Sequence, residues 1–365
     1  MKNPIRILQI SGDIRRDSGI MNVILNWHQH IDCREVQFDY LIFFPFGKDD
    51  YEKEILKLGG RIYQLSHPYK NPIKFLRESY YFFKTHHYMT IHSHITHLNF
   101  FFYPIAKLFG AKNIIQHAHG TKWSDNKFNG WRNYLMLHVV WPLITHKLAC
   151  SQLAGQFWYK KNFMVINNGI DVEKFAYNPA IRDAKRKELG VENNFAVANV
   201  GRFNLQKNHR FLVEIFAEIV KKDETAKLLL VGKGPLEEDI KTLVADKKLQ
   251  DKVFFLGVRK DVPQLLQAFD VLCMPSFYEG LPVVGVEAQA SGCPVCLSEN
   301  ISQEAKLLPN SLLLPLNAGA QYWAEKILLL HNYKRVSGSK ILQEKCFDIL
   351  KVARQMENFY RTLKR

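Results

Sequence analysis

The sequence has 365 residues, which exceeds the size at which one hydrophobic core usually keeps growing, so two domains are expected. Hydrophobic residues make up 47% and charged residues 23% of it, values of ordinary globular proteins that exclude disordered, collagen-like and coiled-coil chains. The formal net charge is +15, so nucleic acid or an anionic membrane surface must be considered as a partner.

The first half of the chain alternates short apolar runs with stretches of helical pattern. A helix is predicted from about Ile20, and strands are predicted at Ile5–Ile10, Val36–Phe43, Met89–Ser93 and Asn113–His117. Strands that are separated by helices form βαβ units, so a parallel sheet is expected here.

A polar, proline-containing stretch at about Asp171–Asp183 interrupts this rhythm and is predicted to link two domains. The predicted domains are residues 1–175, joined by a C-terminal helix at about 347–365, and residues 176–346. The end of the chain, Ser339–Arg365, has a helical pattern and is expected to pack on the first domain. The second domain is predicted to be doubly wound, with strands at Phe195–Val200, Lys227–Val231, Val253–Leu256, Val271–Met274 and Pro294–Leu297.

The six cysteines are too sparse for a disulfide scaffold. Cys293 and Cys296 form one CxxC pair without a second pair at zinc spacing, and the segment is typical of a turn that enters a buried strand. The N-terminal apolar run is too short for a signal peptide, and no apolar run reaches the roughly 18 residues that a membrane span requires. We therefore expect a cytoplasmic protein that is either soluble or bound peripherally to the inner face of the cell membrane.

Positive charge is concentrated in residues 51–160, which contain fourteen lysines and arginines but only four acidic residues. An aromatic, apolar run from Leu98 to Phe109 lies within this region, with Lys107 and Lys112 near its end. No recognised nucleic-acid motif accompanies the charge, so nucleic acid is disfavoured as a partner. Two interpretations of the aromatic run remain open. It either docks on an anionic membrane or forms an ordinary core in which a helix packs on the sheet.

The most informative segment begins at Glu279 and reads EGLPVVGVE, directly after a predicted strand. Pro282 suits the first turn of a helix, where its missing N–H costs nothing, and Gly280 lets the backbone approach a ligand closely. Free amides and the helix dipole then favour an anion at the helix start. The amides expected to face it are those of Leu281, Val283 and Val284.

Glu279 precedes this helix and Glu287 lies about two turns into it, so we expect them to hold different parts of one extended ligand. The segment resembles the glutamate, seven residues, glutamate signature of glycosyltransferase family 4. That resemblance implies the GT-B fold, which is an α/β architecture of two Rossmann-like, doubly wound domains facing across a cleft. It also implies that Glu279 contacts hydroxyls of the donor sugar and that Glu287 contacts the ribose.

Arg202 and Lys207 lie where a predicted strand of the second domain ends and a helix begins. Arginine grips phosphate oxygens bidentately and lysine acts as a point charge, so the pair suits a diphosphate. The segment resembles the family's Gly-Arg…Lys-Gly phosphate segment, with Asn208 in place of the usual glycine. The turn Val231–Pro235 also resembles a family segment, and we assign it to structure.

Four further residues are assigned on the resemblance alone. Val258 and Arg259 match the position at which the family holds the uracil base. Gly19 matches a loop glycine near the donor phosphate and the acceptor, although the GxGxxG of a dinucleotide site is absent. His119 matches the active-site histidine, although twelve of the fourteen histidines lie in this half of the chain and each alone is more often structural.

These matches together imply a retaining hexosyl- or N-acetylhexosaminyltransferase of the bacterial capsule and exopolysaccharide branch. The donor would be a UDP-sugar bound by the second domain, and the acceptor a sugar or a polyprenyl-linked sugar bound by the first. His119, Arg202, Lys207 and Glu279 would be the catalytic residues.

No cofactor is expected, since two cations are available for the diphosphate and the chain has no Asp-x-Asp triplet to hold a metal ion. A nucleotide-sugar epimerase, and a non-catalytic sugar- or lipid-binding partner of a transferase, remain as alternative functions.

Overall fold

A computed structural model describes residues 4–16, 18–47, 50–124 and 126–363. The chain divides into two compact units, residues 1–169 with 349–365 and residues 170–348. The boundaries therefore lie a few residues from the predicted ones at 175 and 347.

The described part of the first unit is built on a seven-stranded parallel sheet with strand order β3-β2-β1-β4-β5-β6-β7. All four strands predicted for this half are confirmed to within two residues at each end. The missed strands are short and lie at or near the sheet edges, where no long apolar run marks them. The strands are β1 (Ile5–Gly12), β2 (Val36–Ile42), β3 (Ile62–Gln64), β4 (Thr90–Ser93), β5 (Asn113–Ala118), β6 (His146–Ala149) and β7 (Met164–Val165).

Helices cover both faces of this sheet, as a parallel sheet requires. They are α1 (Gly19–His30), α2 (Glu52–Lys57), α3 (Pro72–Thr85), α4 (Asn99–Leu108), α5 (Lys127–Val140) and α6 (Gln152–Tyr159). Helix α4 packs between α3 and α5 on one face, and α1 lies on the other.

The aromatic run from Leu98 to Phe109 forms α4 and its ends, and its inner side belongs to the core. Phe102 and Tyr103 are fully buried, and the Phe102 ring packs against the rings of Phe43, Phe75 and Phe83. Phe102 and Tyr103 are therefore core residues, because α4 lies between two other helices and these two rings pack inward. Docking of the first unit on a membrane stays a prediction.

The described part of the second unit contains a six-stranded parallel sheet with strand order β10-β9-β8-β11-β12-β13. The five strands predicted here are confirmed to within one residue at each end. They are β8 (Ala196–Val200), β9 (Lys227–Val231), β10 (Val253–Gly257), β11 (Val271–Met274) and β12 (Val295–Ser298), and the short β13 (Leu312–Leu314) was not predicted. The helices are α7 (Pro179–Leu189), α8 (His209–Val220), α9 (Glu237–Asp246), α10 (Val262–Ala268), α11 (Val283–Ala290), α12 (Gly319–Leu328) and α13 (Ser339–Glu344).

One sequence-based expectation is corrected in this unit and another is confirmed. The stretch predicted as a linker includes the start of α7, because Asn178 caps the amides of Ala180 and Ile181 and a proline follows it at the first helical position. Cys293 and Cys296 lie buried at the turn into β12, as expected from their sequence.

The segment Ser339–Arg365, which was predicted to be helical, contains two helices, and the second of them matches the C-terminal helix predicted at about 347–365. Helix α13 ends at Glu344, Cys346 then adopts a positive φ of 60°, and helix α14 (Ile349–Thr362) begins in the first unit. As predicted for the chain end, α14 packs on the first domain, beside α1. No helix in the described ranges is long and apolar enough to cross a membrane.

The strand order of each sheet reverses at one point, between β1 and β4 in the first unit and between β8 and β11 in the second. Open parallel sheets bind ligands at the carboxyl ends of the strands beside such a point. The segments that follow these strands are therefore the first place to look for a site in each unit.

Candidate functional site

In the second unit, the loop after β8 is shaped by two asparagines. The Asn204 side chain accepts a hydrogen bond from the Lys207 amide at 3.2 Å. Asn208 has a φ of 54°, in the left-handed region that glycine favours, which explains why asparagine can stand where the family has glycine. Its side-chain amide also donates to the Pro275 carbonyl at 3.1 Å, which ties this loop to the end of β11.

Lys207 and Glu279 form an ion pair at this reversal point. The Lys207 Nζ lies 2.7 Å from Glu279 Oε1, with side chains that are only 16% and 11% exposed. Gln206 donates to the other carboxylate oxygen, Oε2, at 3.2 Å. The residue predicted to bind phosphate and the residue predicted to bind the sugar are thus in direct contact.

Arg202 lies in the same loop but is exposed, and its backbone carbonyl accepts a hydrogen bond from the Asn204 amide at 2.8 Å. Its guanidinium has no ion pair or hydrogen bond with any residue that the structure describes. Its five guanidinium donors can therefore bind an anion without breaking an existing contact.

The turn Val231–Pro235 has a structural role, as assigned from the sequence. A Cβ added to Gly232 would lie 2.1 Å from the Gly201 carbonyl oxygen, and one added to Gly234 would lie 2.4 Å from that of Phe203. Glycine is needed because the loops after β8 and β9 pack backbone against backbone.

Val258 and Arg259 follow β10, and Val258 is exposed. The Arg259 guanidinium pairs with Asp261 at 2.7 Å and with Glu188 at 3.1 Å, and it holds the pKa of Asp261 well below its usual range. Because these acids occupy the guanidinium, it is the backbone groups of Val258 and Arg259 that remain available to a ligand.

Helix α11 begins one residue later than the sequence suggested, with Pro282 as its N-cap and Val283 as its first residue. The amides of Val283 and Val284 precede the first helical hydrogen bond, which Gly285 donates to the Pro282 carbonyl. Neither amide has a partner among the described residues, so both are free to face an anion. Gly280 and Leu281 are buried just before this helix start.

Glu287 lies in the second turn of α11 and is half-buried. Burial raises its pKa to about 7, and the positive charge of Lys174 opposes this rise. Its carboxyl group therefore changes charge near neutral pH.

In the first unit, four histidines lie on one face of the sheet. His92 and His94 lie at the end of β4, His117 and His119 at the end of β5, and alternation along each strand turns all four rings to the same side. The Trp27 ring of α1 packs on this group, 5.6 Å from the ring of His117.

Hydrogen bonds connect His119 to Gln9 of β1. The His119 Nε2 lies 2.8 Å from His94 Nδ1, and His94 Nε2 lies 2.8 Å from the Gln9 amide oxygen. The Gln9 amide nitrogen in turn donates to the hydroxyl of Tyr360 in α14 at 3.2 Å.

These hydrogen bonds determine which ring nitrogen carries the proton in His94 and in His119. The amide oxygen of Gln9 can only accept, so the proton of His94 is on Nε2 and its Nδ1 accepts from the Nε2–H of His119. Burial lowers the pKa of His119 to about 3, so the ring is neutral. His119 therefore presents the lone pair of Nδ1 as a hydrogen-bond acceptor.

The ligand atoms of His92, His94 and His117 lie within 4.8 Å of one another, the spacing of a metal site. However, His92 Nε2 lies 3.1 Å from His117 Nδ1, and both His94 nitrogens are engaged with Gln9 and His119. A metal ion would have to break some of these hydrogen bonds.

Gly19 is the first residue of α1 and is exposed. A Cβ added there would meet no described atom within 4 Å, so the fold itself does not require glycine at this position.

The chain resembles known proteins along most of its length. A family model for glycosyl transferases group 1 matches residues 181–313. The putative glycosyltransferase EpsF of Bacillus subtilis (strain 168) is 33% identical over 339 residues, which are 88% of this chain and 86% of that protein.

The chain belongs to the group 1 glycosyltransferases. The UDP-Gal:alpha-D-GlcNAc-diphosphoundecaprenol alpha-1,3-galactosyltransferase of Escherichia coli is 31% identical over 262 residues, 67% of each chain. The crystal structure of Anabaena HepE in complex with UDP and glucose has a TM-score of 0.81 at 19% identity, covering 98% of this chain and 100% of that one. This likeness shows the fold, and with the two parallel sheets it confirms the predicted GT-B class.

These findings do not favour an epimerase or a non-catalytic partner subunit. The segment of the glycosyltransferase that the family model matches contains four of the predicted site residues, which are Arg202, Lys207, Glu279 and Glu287.

Sequence reasoning missed Gln206 and His94, which contact the predicted residues Glu279 and His119, and it missed Gln9, which contacts His94. A usable signal existed for His94, because the pairs His-x-His at 92–94 and 117–119 both follow the alternation of predicted neighbouring strands. Gln9 and Gln206 carry no such signal, since a single glutamine in a strand or loop has no distinctive pattern.

The ion pair gives a first prediction about the glycosyltransferase's stability. Lys207→Ala removes the cation that lies 2.7 Å from the largely buried carboxylate of Glu279, so we expect the second unit to lose about 2–4 kcal/mol of unfolding free energy. The double variant Lys207→Ala/Glu279→Gln should lose less than the single one, because the uncompensated charge is gone. Denaturant unfolding measures both, with Lys241→Ala as control, whose exposed ion pairs should cost under about 1 kcal/mol. Additive losses in the double variant would contradict a coupled pair.

The histidine group gives a second prediction, on pH. Burial lowers the pKa values of His92, His94 and His117 well below 6.5, so the fold binds fewer protons than the unfolded chain in acid. The free energy of unfolding of the first unit should be highest above pH 6.5. As the pH decreases from 6.5, it should decrease by about 1.4 kcal/mol per pH unit for each histidine that stays neutral in the fold.

The check is denaturant unfolding between neutral pH and pH 5 of the wild type, of His117→Gln and of His331→Gln, which changes an exposed histidine. His117→Gln should reduce the slope by about one histidine's share, and His331→Gln should not. The same slope in His117→Gln and the wild type would show that His117 is protonated in the fold.

Proposed function

We propose that the chain is a retaining transferase of glycosyltransferase family 4 that moves a hexosyl or N-acetylhexosaminyl group from a UDP-sugar to a hydroxyl acceptor. The acceptor is a sugar or a polyprenyl-linked sugar, and the product belongs to capsule or exopolysaccharide biosynthesis. The observation that supports this most is the contact of Lys207 with Glu279, which joins a cation for the leaving diphosphate to a carboxylate for the sugar.

The relatives support the choice of substrates. The Escherichia coli relative is named for UDP-Gal as donor and for an acceptor on diphosphoundecaprenol, and HepE was crystallised with UDP and glucose. A lipid-linked acceptor would require the enzyme to work at the cytoplasmic face of the membrane.

In the proposed reaction, the bond between the sugar C1 and the β-phosphate oxygen breaks while the acceptor oxygen attacks C1 from the same face. The proton of the acceptor hydroxyl passes to the departing phosphate oxygen, so UDP leaves and the configuration is retained. No residue has to act as a nucleophile, and the main task of the protein is to stabilise the negative charge that grows on the diphosphate.

Four groups of the second unit can stabilise the negative charge on the leaving diphosphate. They are the guanidinium of Arg202, the ammonium of Lys207 and the amides of Val283 and Val284. The guanidinium is exposed, and the amides lie at a helix start, where the dipole favours an anion. Val258 and Arg259 would hold the uracil through their backbone.

Glu279 and Glu287 would bind the two sugars of the donor. Hydrogen bonding from Gln206 and the ion pair with Lys207 orient both oxygens of Glu279, so it can accept hydrogen bonds from hydroxyls of the transferred sugar. Glu287 would bind the ribose, and Gly280, Leu281 and Pro282 would let the backbone approach the donor closely.

The first unit would bind the acceptor and contribute to the sugar site. His119 would accept a hydrogen bond from a sugar hydroxyl at Nδ1, with His94 and Gln9 holding its tautomer. Gly19 would allow donor phosphate or acceptor to approach the start of α1.

Donor-dependent steady-state kinetics test these roles. Arg202→Ala should lose mainly turnover, by on the order of a hundredfold, because its charge matters most when the diphosphate leaves. Glu279→Ala should lose turnover and also discrimination between donor epimers, since this carboxylate touches the reacting sugar. Glu287→Ala should mainly raise the donor KM, because ribose is held equally in ground and transition states.

The control is Arg210→Ala, which changes an exposed arginine of α8. Circular dichroism confirms the fold of each variant. Near-normal turnover in both Arg202→Ala and Glu279→Ala would show that the active site lies elsewhere.

Metal independence is a separate prediction, which follows from the two cations and from the missing Asp-x-Asp triplet. Sugar transfer should survive excess EDTA with less than about a twofold loss of rate, since arginine and lysine already supply the positive charge. Loss of activity with EDTA that manganese restores would overturn this view of the phosphate site. Restoration by zinc and not by manganese would direct attention to His92, His94 and His117.

A further inference from the structure

Helix α5 is apolar on two opposite faces. Leu137 and Val140 are buried against the first unit, while Phe128, Trp131, Leu135 and Val139 are 40–70% exposed. A group of large apolar side chains exposed together on one helix face is unusual in a protein surface and marks an interaction site. The outer face of α5 is therefore expected to have a partner that the described residues do not supply.

The four exposed side chains form a straight strip. Their positions i, i+3, i+7 and i+11 fall within an arc of about 80° of the helix and extend over about 16 Å. We call Phe128, Trp131, Leu135 and Val139 the α5 strip.

Positive charge borders the α5 strip. At about 100° per residue, Lys127 and Arg132 lie on its two opposite sides, and α5 contains no acidic residue. Over residues 72–170, which include α3 to α6, the sequence has eleven lysines and arginines and two acidic residues, Glu78 and Asp125, of which Asp125 lies outside the described residues. The surroundings of the strip are thus complementary to an anionic partner.

The apolar surface continues across the layer of helices. Helix α4 packs between α3 and α5, and Leu108 at its end is exposed. On α3, Ile73 and Tyr80 are exposed as well. Exposed apolar side chains thus lie on all three adjacent helices of this layer, which suits a partner that is broad rather than a single narrow segment.

These features together favour a lipid surface over other partners. A nucleic acid would need cations at the centre of the contact, where the α5 strip is apolar. A second copy of the chain would bring two faces of the same positive charge together, which is unfavourable. An apolar centre with a cationic border is the pattern of helices that lie in the interface of an anionic bilayer.

We propose that α5 docks the protein on an anionic bilayer, with the α5 strip at the boundary of the acyl chains and Lys127 and Arg132 on the lipid headgroups. This inference rests on the proposed function in one respect, because a polyprenyl-linked acceptor lies in the same membrane.

Co-sedimentation of the full chain with vesicles of equal parts phosphatidylcholine and phosphatidylglycerol tests the docking. The wild type should bind at low salt and bind less at high salt, since exposed charges are screened. Phe128→Gln/Val139→Gln should need at least about tenfold more lipid for half-maximal binding. Lys127→Gln/Arg132→Gln should lose the preference over pure phosphatidylcholine vesicles.

The matched control is Leu329→Gln/Val336→Gln, which removes two apolar residues of comparable exposure from the second unit. It should bind vesicles like the wild type, and thermal melting should show both double variants folded. Docking through α5 would be overturned by a wild type that does not bind, by an α5 variant that binds normally, or by equal loss in the control. It would also be overturned if size-exclusion chromatography showed a dimer that the α5 variant alone lacks.

Transfer to a water-soluble acceptor separates this inference from the proposed function. The α5 variant should keep that activity within about twofold while losing vesicle binding, because its substitutions lie on an outer helix face. Vesicle binding without transfer from any nucleotide sugar would overturn the proposed function and leave the docking supported.

Discussion

A parallel sheet that is covered by helices on both faces leaves its strand ends as the main place for polar chemistry. Both units obey this constraint, and each has one point at which the strand order reverses. In the second unit that point brings together Lys207, from the loop after β8, and Glu279, from the loop after β11. Gly232 and Gly234 hold the loop after β9 backbone against backbone on the loop that carries Lys207.

The first unit uses the same edge differently. Its polar group is neutral, because burial keeps the imidazoles of His92, His94 and His117 unprotonated. Where the second unit has an ion pair, the first unit has a chain of hydrogen bonds from the amide of Gln9 through His94 to the ring of His119. The direction of each of these bonds determines the direction of the next. A charged site and a neutral, directional site thus occupy equivalent positions in two similar sheets.

The sequence was sufficient to predict the elements with long apolar runs and the residues in distinctive motifs. Short strands such as β7 were not predicted, because two residues are too few to show an alternating or apolar pattern. The contact of Lys207 with Glu279 could not be predicted, since the residues are 72 positions apart and only the strand order brings them together. The aromatic run of α4 and the α5 strip show a further limit, because composition reveals an apolar helix but not which of its faces its neighbours cover.

The return of the chain to the first unit determines the order in which the domains can be completed during synthesis. Helix α14 supplies Tyr360, whose hydroxyl receives a hydrogen bond from Gln9 and lies 2.6 Å from His92 Nδ1. Gln9 is synthesised before the second domain and Tyr360 after it, so the first domain can be completed only once the second has been synthesised. All residues of the second domain are synthesised before Tyr360, so the second domain can fold before the first one is complete. A nascent chain therefore passes through a stage with a complete second domain beside an unfinished first one, whose sheet still lacks the helix that packs beside α1.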